Sequence, residues 1–270
     1  MLTFRVKKFF GKKQKSIRRL VVNLILTIGC LIFFTSPALA FDFLDWNGLL
    51  KKNVKPKVIS GVKLNAVNYK SIKNDPAYEK LIGDLKSFNL SDLKTKNDKL
   101  AFWINVYNVM AVKMVLDNYP VKSIKDAGSL FKSVWKKEVG IVAGKIRTLN
   151  DIEHEILRKM GEPRIHVAIV CASVSCPDLR PEAYVGEKLD AQLDDQLTKF
   201  LTNSGKGLKI DSGDNKLYLS SIFKWFEEDF ESKGGVVPYL TKYADSRYMS
   251  TLKSGKLKTK YLDYDWGLNE

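Results

Sequence analysis

One segment restricts the fold more than any other. Between Lys99 and Asp117 the apolar residues do not keep to one helical face. On a wheel of 100° per residue, Leu100, Trp103, Ile104, Met110, Ala111 and Met114 cover one side, and Phe102, Val106 and Val109 cover much of the other. A helix that is apolar nearly all round has to be enclosed by the rest of its domain. Asn97 or Asp98 suits its start, and Asn118-Tyr119-Pro120 its end. Asn105 and Asn108, three apart and neighbours on this helix, are therefore expected to be buried amides.

The flanking segments predict an α+β domain. Gly61 to Tyr69 alternates as a strand, and Asp75-Pro76 opens a helix to about Phe88. Val139 to Ile146, with Gly140 and Gly144, reads as a hairpin. A helix is expected over about 150–160, stopping near Gly161-Glu162-Pro163. The apolar run from Ile165 to Val170 reads as a buried central strand. Glu187 to Thr202 is an amphipathic helix, and two strands flank the turn between Leu208 and Leu219. Helices are expected over 221–230 and 237–243, and an edge strand at 261–264. There is no internal repeat and no long linker. The expected architecture is one α+β domain, with a mainly antiparallel sheet, packed helices and one buried central helix.

The first 40 residues read as an address. Residues 1–19 carry eight Lys/Arg and no acid, Leu20 to Thr35 is almost wholly apolar, and Ala38 and Ala40 form a small-residue cleavage site. These are the parts of a secretory signal peptide, and the apolar run is short for a membrane span. Cleavage after Ala40 is expected, giving a periplasmic or secreted protein that meets membrane only through its signal. Thr27 and the apolar residues after Cys30 argue against a lipoprotein signal. Residues 41–60 follow as a capping segment, 61–245 as the main domain and 246–270 as a tail packed on it. The chain is formally +15; without its leader it has 37 basic against 30 acidic residues, or +7, with the signs interspersed. That balance and export both argue against a nucleic-acid partner.

The chemistry concentrates in Cys171-Ala-Ser-Val-Ser-Cys176-Pro177, at the end of the apolar run. Outside the leader these are the only two cysteines, and His154 and His166 are the only histidines. A Cys–His pair is the natural nucleophile and base. His166, an odd number of residues from Cys171 on one expected strand, would point to the opposite face, so it reads as a core histidine. His154 is the better base. Its neighbour Glu153 falls on the apolar arc of its helix and needs a partner, with Arg164, Arg147 or a histidine available. Asn105 or Asn108 could orient His154, as in Cys–His–Asn hydrolases. Other readings stand beside this one: a Cys171–Cys176 disulfide, a cycling redox pair, a purely structural role, or zinc held by Cys171, Cys176, His154 and His166. No cofactor is expected.

Lys99-Leu-Ala-Phe-Trp-Ile-Asn105-Val-Tyr-Asn108 resembles the hallmark of the domain-of-unknown-function 547 family. Ile152-Glu153-His154 with Ile156-Leu157-Arg158, then Val167 to Pro177, then Leu219 to Phe226 with Asp229-Phe230, resemble its later motifs in order. The resemblance spans roughly residues 60–245. It implies weight on Asn105, Asn108, Glu153, His154, Cys171 and Pro177, and that serine is also admitted at the position of Cys176, which favours Cys171 as nucleophile. The resulting expectation is a thiol hydrolase or acyltransferase, papain-like or transglutaminase-like in logic. Its substrate would be an envelope peptide, amide or thioester, and loop amides after Cys171 would serve as oxyanion donors. Against it stand a non-catalytic envelope binding module and a thiol redox or metal-handling protein.

Overall fold

The enclosed helix runs Lys96–Asp117, and every residue from Leu100 to Val112 is buried. It begins earlier than Asn97 because Thr95 is the cap. The Thr95 hydroxyl accepts from the Asp98 N–H at 3.0 Å, and the Asp98 carboxylate accepts from the Thr95 N–H at 3.1 Å. By length and apolarity this helix would pass for a membrane span, but 89% of its most apolar 18-residue stretch is buried inside the protein.

The structure is a computed structural model that describes residues 41–129 and 132–270. The expected leader, with Cys30, lies outside the described residues. In chain order the elements are α1 (Leu44–Asn53), β1 (Val54–Ile59), β2 (Val62–Val67), α2 (Tyr69–Lys73), α3 (Pro76–Ser87), α4 (Lys96–Asp117), β3 (Glu138–Val142) and β4 (Lys145–Thr148). There follow α5 (Ile165–Ala168), α6 (Leu189–Thr202), β5 (Leu208–Asp211), β6 (Lys216–Leu219), α7 (Ile222–Trp225), α8 (Val236–Thr241), α9 (Ser246–Lys253) and β7 (Lys258–Tyr261).

The α+β class holds, but the strands do not form one sheet. β1–β2 and β3–β4 are separate antiparallel pairs, and β5, β6 and β7 form a third sheet in which β7 runs parallel to β6. The reason lies in α4. It takes the centre of the larger apolar core, so the strands are left as short pieces around it. The last strand also lies three residues earlier than expected, at 258–261, and α9 fills much of the Lys-rich tail.

The largest difference is at residues 165–170. Ile165–Ala168 is a turn of helix, and only Ile169 and Val170 extend toward the cysteines. A short buried apolar run fits a strand or a helical turn equally well. Here no neighbouring strand among the described residues pairs with it. The Asn108 side chain stands in for one, donating to the Ala168 carbonyl at 3.0 Å and accepting from the Val170 N–H at 2.9 Å.

Candidate functional site

The segment expected as an ordinary helix over 150–160 is wider than that. Asp151–Leu157 is a π-helical turn followed by a 3₁₀ turn over Arg158–Met160. Thr148 and Asp151 cap it reciprocally, each N–H on the other's side chain at 3.0 Å. Such widened turns recur at functional sites. This one brings Glu153 and His154 onto the wall of a cavity of ≈ 200 Å³. The same cavity is lined by Cys171, Cys176, His166 and Tyr107, and walled by Trp135, Trp225, Phe226, Tyr264 and Trp266.

Cys171 is half-buried on this wall. Its Sγ lies 3.0 Å from the Cys176 Sγ, 3.1 Å from the Tyr264 hydroxyl and 3.2 Å from the Ser173 hydroxyl. Burial pushes the thiol up, but hydrogen bonds from Cys176, Ser173 and Tyr264 outweigh it and hold Cys171 below the usual thiol value. Burial and the neighbouring Cys171 push Cys176 the other way. Both cysteines are free thiols.

Directly after Cys171 the backbone is left-handed at Ala172, φ +57°. The carboxy-terminal segment crosses this loop. Val174 donates to the Gly267 carbonyl at 2.9 Å, Ser175 to Asp265 at 3.2 Å, and Asn269 to Ala172 at 3.2 Å. The Cys176 N–H is taken by the Ser173 carbonyl. The expected oxyanion loop therefore narrows to the N–H groups of Ala172 and Ser173, which have no acceptor among the described residues.

Glu153 is 5% exposed, and its partner is none of the cations expected for it. The Tyr107 hydroxyl donates to its Oε2 at 3.1 Å. Arg164 is engaged by Glu162, Asp190 and Asp194 instead, and Arg147 lies over the Trp103 ring. Burial raises the Glu153 carboxyl to about 7, against the opposing effects of Tyr107 and Arg158.

Neither buried amide reaches a histidine. Asn105 donates to the Tyr184 carbonyl at 2.8 Å and accepts from the Tyr184 N–H at 2.9 Å. Asn108 is committed to Ala168 and Val170 as above. Both amides pin irregular backbone to α4, which is how a buried amide satisfies its polar groups. His154 instead has Arg158 on its Nδ1 at 2.9 Å, and burial and that guanidinium both lower its pKa.

His166 is buried among different partners. Its Nε2 is 2.6 Å from Asp229 Oδ2, and its ring stacks on Phe226 at 4.0 Å. Asp229 is also gripped by Arg158, from Nε to Oδ2 and from Nη2 to Oδ1, each at 2.8 Å. Burial would raise this carboxyl, but His166 and Arg158 hold it far below the usual carboxylate range. Burial lowers His166, with Asp229 opposing. His166 lines the same cavity as Cys171 and does not face away from it, because residues 165–168 are helical where a strand was expected.

The two cysteines and two histidines share the cavity, yet among the described residues no three His, Cys, Asp or Glu side chains are arranged to hold a metal ion. Sequence reasoning missed Tyr107, Arg158, Asp229 and Tyr264 as members of the site. Arg158 and Asp229 stood inside recognisable motifs but carried no local signal of their pairing. Tyr264 had none.

Residues 90–201 match the family model described as Protein of unknown function, DUF547. The match covers the hallmark motif on α4, the Glu153–His154 turn and the cysteine loop, so the resemblance read from the motifs holds there. Asp229, Tyr264 and two of the three cavity tryptophans, Trp225 and Trp266, lie outside the matched stretch. No match was found among curated proteins or solved structures.

Proposed function

We propose that the protein is an exported thiol hydrolase or acyltransferase with Cys171 as its nucleophile. One observation carries this reading: the Cys171 thiol opens on a cavity that it shares with two histidines and a buried carboxyl, while three groups stand within hydrogen-bond distance of its sulfur and can donate to its thiolate. A lowered thiol pKa on an accessible wall is what covalent catalysis by cysteine needs. Glu153, raised to about 7, is suited to proton transfer near neutral pH. The indole and phenyl walls favour a compact apolar acyl group, presented as a peptide, amide or thioester. The signal-like first 40 residues support a location in the cell envelope or outside the cell.

The test is alkylation by iodoacetamide across pH, with each cysteine mapped by mass. Selective labelling of Cys171 near neutral pH, with Cys176 labelled only on unfolding, is expected. A Cys171 that stays inert in the reduced, folded protein would sink the reading. The 3.0 Å approach of the two thiols favours a second reading, a redox pair, which would show as labelling only after reduction.

A further inference from the structure

The two histidines on the cavity wall carry their protons in chemically different settings. At His166 the partner of Nε2 is a carboxylate, which can only accept. The proton of the neutral ring therefore sits on Nε2, and Nδ1 is a bare lone pair. That Nδ1 is buried and has no hydrogen-bond partner among the described residues. A buried acceptor with no donor is rare enough to need an explanation. At His154 the partner of Nδ1 is the Arg158 guanidinium, which can only donate. The proton of that ring sits on Nε2, so neutral His154 offers the cavity a donor.

We infer that His166 is the general base of this site, with Asp229 and Arg158 as its positioning residues. The inference rests on the thiol chemistry proposed above. Arg158 ties the system together: it binds Asp229 through two nitrogens and caps His154 with a third. A proton arriving on His166 is balanced by Asp229 across the ring. A proton arriving on His154 Nδ1 would face Arg158 directly. The charged and titratable groups facing His166 are Asp229, Arg158 and His154, with Phe226 covering one face of the ring.

The reaction balances without any further reagent. The Cys171 thiol makes no hydrogen bond to His166 Nδ1 in this structure, and its S–H proton passes to Nδ1 as the site tightens around the acyl substrate. The thiolate attacks the acyl carbon, a C–S bond forms, and the bond to the leaving group breaks. The leaving atom takes the proton back from Nδ1. Water, or an acceptor hydroxyl or amine, then gives a proton to Nδ1 and attacks the thioester, and the thiol is restored as that proton returns to sulfur.

The experiment uses p-nitrophenyl acetate as probe, reading the p-nitrophenol burst and acetyl on Cys171 by mass. In the wild type, acetylation should slow as pH falls through the titration of the base. His166→Gln should move that inflection to the titration of the unassisted Cys171 thiol and react about a hundredfold more slowly. Asp229→Asn preserves shape but removes the carboxylate charge that balances a protonated His166 ring, so it should lose a similar factor. His154→Gln should keep the inflection. Thermal unfolding checks each variant, and if His166→Gln does not fold, Asp229→Asn decides. Wild-type rates with the inflection intact in Asp229→Asn, or the same move of the inflection in His154→Gln, overturns the assignment of His166 alone. Wild-type protein that never acetylates at Cys171 overturns the thiol reading and this inference with it.

Discussion

The Tyr264 hydroxyl lies 3.1 Å from the Cys171 thiol, although 93 residues separate the two in sequence. The tail is held there by backbone bonds from Val174 to Gly267 and from Ser175 to Asp265, and by the Asp265 N–H on the Ser175 hydroxyl at 2.9 Å. The carboxy-terminal segment is thus part of the thiol's environment. Tyr264→Phe removes one of the three hydrogen bonds that lower the Cys171 pKa. The thiol should titrate higher, and alkylation at neutral pH should slow roughly three- to tenfold. The fold should survive, since the backbone bonds remain. An unchanged pH midpoint for Cys171 alkylation would show that Tyr264 does not tune it.

Glu153 gives a signed prediction for stability. Its carboxyl is raised from 4.5 to about 7 in the folded protein by burial. Folding therefore takes up a proton there between those values. The contribution is fully present below pH 4.5 and lost as pH rises through about 7. The loss is about 3 kcal/mol at most, because a tenfold change in proton affinity is worth about 1.4 kcal/mol. His154 and His166, both lowered by burial, act in the opposite sense below their unfolded value of 6.5. The wild-type curve mixes the two signs, so the difference from Glu153→Gln isolates the carboxyl. Glutamine keeps an acceptor for Tyr107 but cannot ionise. Relative to wild type, it should gain stability as pH rises from about 5 to about 8 in urea unfolding. A flat difference would mean that Glu153 ionises normally in the folded protein.

Much of the helical frame was legible because its signals are local. The enclosed helix announced itself through Leu100 to Met114, and the buried state of Asn105 and Asn108 followed from their place on it. The cavity was only half legible. Cys171, Glu153 and His154 were visible as chemistry-bearing types in a chain poor in histidine. The pairing of His166 with Asp229 was not, because it bridges 63 residues and depends on the helical turn at Ile165–Ala168. Periodicity cannot separate such a turn from a strand in so short a run.

Asn108 is the residue on which that turn depends, and it tests the link between core and site. Asn108→Ala leaves the Ala168 carbonyl and the Val170 N–H buried without the partner they have now. Each orphaned group costs about 1–3 kcal/mol. The damage falls on the residues that lead into Cys171, so cysteine reactivity should change along with stability. Asn108→Asp should fare no better, since a carboxylate cannot donate to the Ala168 carbonyl. Calorimetry together with Cys171 alkylation gives the answer. A variant that unfolds at the wild-type temperature would mean that other groups hold this segment.

Cys171 and Cys176 are close enough to exchange, with their Sγ atoms 3.0 Å apart. Oxidised glutathione would first form a mixed disulfide at the more acidic thiol, Cys171, releasing one glutathione thiolate. The Cys176 thiol, once deprotonated, would attack the Cys171 sulfur and expel the second. The product is a bridge between the two ends of the loop, with no free nucleophile on the cavity wall. Treatment with oxidised glutathione should therefore abolish iodoacetamide labelling of Cys171 in the folded protein and of both cysteines after unfolding, and a reductant should restore both. Cys176→Ser keeps a hydroxyl beside the thiol and removes the resolving nucleophile. In that variant the mixed disulfide should persist at Cys171 as a stable glutathione adduct. If the wild-type protein also accumulates that adduct, Cys176 does not resolve it, and its role is to donate a hydrogen bond to the nucleophile.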